Sequence, residues 1–229
     1  MQSLKHLYFL APAFNRVSIF PVRAMDRLET LFVDRLCNET NHDLDMSTIL
    51  QGLGPNCKSL HLSNMKCISQ CFVGTDLTNL THLRLHSISC DYPYSVSQNY
   101  NALLKYICTH FASIASLDID VPRGLRLQSV INQLAVLPKL TTMKLDVSYL
   151  MCDLISNPIN GSSTIFPALE EVFVYCNRGP YSIAEIQWQL ERALFKLRPQ
   201  LRKVVFATTR MPTVPKSLCM GRHFAELFY

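Results

Sequence analysis

One six-residue pattern recurs along the whole chain: an apolar residue, two variable ones, a second apolar residue, one variable, and a third apolar residue. It reads Leu4-x-x-Leu7-x-Phe9, Leu28-x-x-Leu31-x-Val33, Cys57-x-x-Leu60-x-Leu62 and Leu80-x-x-Leu83-x-Leu85. It continues as Ile114-x-x-Leu117-x-Ile119, Leu140-x-x-Met143-x-Leu145, Leu169-x-x-Val172-x-Val174 and Leu201-x-x-Val204-x-Phe206. The first anchors stand 24, 29, 23, 34, 26, 29 and 32 residues apart. A period of roughly 20–50 residues constrains architecture more than local propensity does, because each unit buries its apolar face only against its neighbours. A single match would mean nothing, leucine being the commonest residue. Eight at this spacing are a repeat.

Within each match the alternation is that of a short strand with one buried face. The spacers carry a different period. Residues 101–111 place apolar groups at 103, 104, 107, 108 and 111, one helical stripe. Residues 127–137 do the same, and Pro138 stops them before Leu140. A third helix is predicted over Ser182–Leu197, opened by Ser182 with Glu185 three residues on, a capping box, and closed by Pro199. Strand, loop, helix, proline turn, strand describes an α/β solenoid, with a curved parallel sheet inside and helices outside. Residues 1–229 are read as one domain of about eight irregular repeats.

Composition narrows the function. Net charge is +5, but no Lys/Arg run exceeds two residues, so a basic nucleic-acid patch is not expected. No apolar run approaches the ~20 residues of a membrane span. The nine cysteines are odd in number, and Cys67 and Cys71 lack a second pair at zinc-site spacing. Most lie in apolar text, where free Cys behaves as a small hydrophobe; Cys57 even occupies an anchor position. Buried reduced thiols point to a reducing compartment, cytoplasmic or nuclear. No phosphate loop, nucleophile elbow or His-Glu-x-x-His occurs. The chain is therefore not expected to be an enzyme, and no catalytic, cofactor or metal residue is assigned.

The anchors resemble leucine-rich repeats of the long, helix-containing intracellular kind. Phe166-Pro-Ala-Leu-Glu-Glu-Val-Phe-Val-Tyr-Cys176 and Leu77-Thr-Asn-Leu-Thr-His-Leu-Arg-Leu85 look especially like the repeats of F-box proteins. The resemblance covers about residues 3–210. It departs from the family pattern after the third anchor, where the expected Asn or Cys is present only as Asn177, and in repeat length. It implies a protein-interaction module, the substrate-recognition region of an F-box-type ubiquitin ligase, with a Skp-type adaptor and cullin as partners if an F-box lies upstream. No F-box motif is visible before Leu4. The alternative is an intracellular leucine-rich-repeat scaffold or inhibitor unrelated to ubiquitination.

If the anchors face the core, the alternate positions line the inside of the arc. The residue between second and third anchors gives His61, Arg84, Asp118, Lys144 and Phe173; the residue after the third gives His86, Asp120, Asp146 and Tyr175. The residue before the second anchor adds His82. These ten are the candidate partner-binding residues, banded as cationic, acidic and aromatic patches. Two readings stay open: a solvated face whose charges neutralise one another, and a recognition surface anchored by Arg and aromatics.

Overall fold

A computed structural model describes residues 4–12, 25, 27–36, 50–63, 72–86, 96–121, 125, 127–147, 166–176 and 201–207. Eight strands form one open sheet: β1 (His6–Pro12), β2 (Thr30–Leu36), β3 (Ser59–Ser63), β4 (His82–His86), β5 (Ser116–Val121), β6 (Thr142–Val147), β7 (Glu171–Cys176) and β8 (Lys203–Ala207). They lie side by side in sequence order. Every neighbouring pair is parallel. Parallel neighbours need a crossover of a dozen residues or more, which is what the spacers supply. Helix α1 (Val96–His110) lies in the β4–β5 crossover and helix α2 (Leu127–Leu134) in the β5–β6 crossover. Helix α1 begins five residues before the stripe predicted from residue 101, because polar Ser97, Gln98 and Asn99 carry no periodic signal. The helix expected at Ser182–Leu197 lies outside the described residues.

The register joins like positions of successive repeats. Leu31, Leu60, Leu83, Leu117, Met143, Val172 and Val204 pair in turn across the sheet. The period of two then sends all of them to one face, where a slip of one residue would expose the entire row. Second and third anchors of β2 to β7 are buried in a single core, together with Leu103, Leu104 and Ile107 of α1 and Val130, Ile131 and Leu134 of α2. The first repeat departs from the expectation: its first anchor, Leu4, is 53% exposed, since no described repeat covers it.

Two backbone devices fix where each strand starts. The carbonyl just before a strand accepts two successive amides of the next repeat: Lys5 O from Glu29 N at 2.8 Å and Thr30 N at 3.1 Å. Glu29, Lys58, Thr81, Ala115, Thr141 and Glu170 carbonyls do the same for the repeats that follow them. Ahead of that, the first anchor closes a one-turn loop onto a residue three positions earlier, as in Leu28 N to Met25 O, Leu80 N to Leu77 O and Ile114 N to Phe111 O. That earlier residue is itself buried at Met25, Leu77, Phe111 and Phe166. The apolar pattern thus extends three residues upstream of the sequence motif.

Helix α1 is tied to its surroundings by tyrosines. The Tyr100 hydroxyl donates to the Asp120 carbonyl in β5, and the Tyr106 hydroxyl donates to the Phe72 carbonyl at 2.7 Å. Each buries an aromatic body while satisfying its polar tip. Tyr106 further stacks on His110 with ring centroids 4.0 Å apart, so it packs within the helical layer. Cys57 is fully buried and its thiol is pushed up to about 11 by burial; burial does the same to Cys108. Both are free thiols. Among the described residues no helix is long and apolar enough to cross a membrane.

Candidate functional site

The face opposite the core carries three columns, one per outward position. The central column runs Tyr8, Phe32, His61, Arg84, Asp118, Lys144, Phe173, Val205 in continuous register. The column at the strand starts runs His6, Thr30, Ser59, His82, Ser116, Thr142, Glu171, Lys203. The third contains Ser63 and His86 opposite each other, then Asp120, Asp146 and Tyr175. All ten sequence candidates stand on this face, on adjacent strands from β3 to β7. Parallel pairing places same-column neighbours close together, so charges on successive strands meet.

The middle of the face is an ion cluster. Asp118 receives Arg84 Nε at 3.3 Å on one carboxylate oxygen and His86 Nε2 at 2.8 Å on the other. His86 Nδ1 lies 3.3 Å from an Asp120 oxygen. Burial by itself would lift the Asp118 carboxyl. The His86 hydrogen bond and charge, with Arg84 and Lys144 beyond, outweigh it and hold the group below the usual carboxylate range. The cationic and acidic bands expected from the sequence therefore interlock rather than lie apart. Depth separates them as well: the Asp118 and Asp120 side chains are 17% and 16% exposed and Asp146 is buried, while Arg84 stays half exposed.

No protein-family model and no curated protein matches the chain. Toward β1 the face becomes aromatic. His61 meets Phe32 edge-on with centroids 4.0 Å apart, and Tyr8 follows at 5.9 Å from Phe32. His61 thus belongs to this row, while His82 is exposed and its Nδ1 lies 2.8 Å from the Thr81 hydroxyl. Toward β8, Lys144 and Lys203 place their ammonium groups 5.5 Å and 5.2 Å from the centroid of the Phe173 ring. Tyr175, one pleat further along β7, has its hydroxyl pKa raised by burial and by the negative charges of Asp118 and Asp146. Tyr8, Phe32 and Lys203 escaped selection from the sequence, although they stand in the same columns. The alignment of the anchors already gives them these outward positions, and the register agrees.

The strand-start edge adds a ladder of its own. Glu29 takes Lys5 at 2.8 Å and Lys58 at 3.2 Å, bridging three repeats. Thr81 and Thr141 hydroxyls donate to the carbonyls of Lys58 and Ala115 in the preceding repeat at 3.0 Å and 2.9 Å. The two lysines are exposed, so the ion pairs contribute little to stability. Among the described residues no group of three His, Cys, Asp or Glu side chains is placed to hold a metal ion.

Proposed function

We propose that this chain is a leucine-rich-repeat solenoid and that the polar face of its sheet is the concave surface that recognises a protein partner. The supporting observation is the column register: eight repeats bring a single outward position into one continuous row, from Tyr8 to Val205. A row of this kind presents side chains of different chemistry on a rigid frame, as a preorganised interface requires. Arg, Tyr and Phe are the residue types that dominate binding energy in such surfaces. The resemblance of the repeats to those of F-box proteins makes the substrate-recognition region of a ubiquitin ligase the preferred assignment, in the cytoplasm or nucleus.

The test uses Arg84→Ala and Phe173→Ala, both on the exposed face, beside Leu83→Ala in the core. Partners captured from lysate and identified by mass spectrometry should be lost with either face variant while thermal melting stays near wild type. If both face variants keep every partner, the face is not the interface. For the ubiquitin-ligase assignment, a Skp-type adaptor and a cullin should co-purify with the protein expressed from its complete reading frame; their absence would remove that assignment and leave the scaffold.

A further inference from the structure

Resting on that reading of the face, we propose that its β6–β8 end binds an acidic, extended segment of the partner protein, whose carboxylates engage Lys144 and Lys203 across the Phe173 ring. The face keeps its two signs of charge at different depths. Asp118 and Asp120 are 17% and 16% exposed and are met by Arg84 and His86, and Asp146 is buried. Lys144 and Lys203 are differently placed. Among the described residues neither has a carboxylate within 4 Å, and each ammonium stands over the same aromatic ring. Glu171 lies opposite Lys203 in register, yet the lysine turns to Phe173 instead.

An aromatic face holds a cation through its quadrupole and, unlike a carboxylate, does not neutralise its charge. Each ammonium therefore keeps its full charge, and N–H donors on the side away from the ring, for an incoming acceptor. Two cations positioned on one ring, on three adjacent strands, form a charged site with an apolar floor. A peptide that alternates carboxylates with small or apolar residues complements it, since extended chain spaces alternate side chains by about 6.6–6.8 Å. A nucleic acid fits less well. Its phosphates are continuous, so it would meet Asp146 on β6 and Glu171 on β7 within these strands and Asp120 on β5 beyond them, while Arg84 is already paired with Asp118.

Fluorescence anisotropy with three labelled probes tests this on the full chain: a glutamate-rich dodecapeptide, its glutamine counterpart, and single-stranded dodecathymidylate. The glutamate peptide should bind at least tenfold more tightly than the glutamine one, and weaken as salt is raised. Lys144→Glu with Lys203→Glu should cost tenfold or more, and Phe173→Leu, which keeps apolar volume but removes the ring, should weaken binding severalfold. Lys105→Glu with Lys139→Glu, away from this face, changes net charge equally and should leave affinity within twofold. Equal loss in both double variants would overturn the site in favour of bulk charge. Tighter, Lys144- and Lys203-dependent binding of the thymidylate would overturn it in favour of nucleic acid. A photo-crosslinker at residue 32 or 82 separates the two levels. A partner crosslinked there but indifferent to Lys144→Glu/Lys203→Glu sinks the acidic segment and spares the face; no crosslinked partner at either position sinks the reading of the whole face, while equal binding of the glutamate and glutamine peptides sinks the acidic segment.

Discussion

At the scale of single residues, neighbours in one strand have opposite roles, and this gives a controlled comparison. Leu83 is 1% exposed and Arg84, next to it, has a half-exposed side chain. Leu83→Ala opens a cavity between sheet and helices and should cost about 2–5 kcal/mol in denaturant melts. Arg84→Ala removes the guanidinium contact to Asp118 and leaves the His86 hydrogen bond, so it should cost no more than about 1 kcal/mol. Comparable losses in the two would mean the register is wrong. Asp118 carries a pH signature. Its carboxyl is held below its unfolded value, so its contribution to stability is complete above the unfolded pKa of about 3.9 and is lost as pH falls through the folded value. Asp118→Asn should therefore lower stability at pH 7, by about 1–3 kcal/mol for the unpaired Arg84 and His86, and flatten the acid limb of wild-type unfolding below about pH 4. An unchanged acid limb would show that another carboxylate governs it.

At the scale of the element, strands were far more legible than what lies between them. A strand announces itself by alternation within six residues, and repetition at eight places averages out chance matches. That same alignment placed all ten face residues in columns that the register reproduces, because parallel pairing carries a sequence alignment directly into space. The ion cluster was not legible. That Arg84 and His86 converge on Asp118 depends on rotamers and on strand stagger, neither of which alternation encodes. The start of α1 was missed for a related reason: its first turn is polar, and its attachment comes from Tyr100, whose hydroxyl reaches back to β5. Tyr100→Phe keeps the buried ring and removes the hydroxyl that makes that bond. It should cost about 1–3 kcal/mol, the carbonyl of Asp120 losing its donor. A neutral substitution would mean the helix is held by its apolar stripe alone.

At the scale of the whole molecule, eight strands in sequence order make an object that grows along one axis. The solenoid proposed for this chain should scatter with a radius of gyration above the ~17 Å that compact-domain scaling gives at this length. Small-angle scattering that fits a compact sphere of that radius would remove the solenoid. The doubled carbonyl acceptors ahead of each strand have a mechanical meaning. They hold every repeat to the previous one at the same point, whether the repeat runs to 23 residues or 34. Tension applied between β1 and β8 runs along the hydrogen bonds joining neighbouring strands, across the strand direction. The ladders are then loaded in series, and the weakest opens first while the others still bear the load. Such a chain yields as a zip does, repeat after repeat at modest force, and each freed repeat lengthens the molecule by its own spacer.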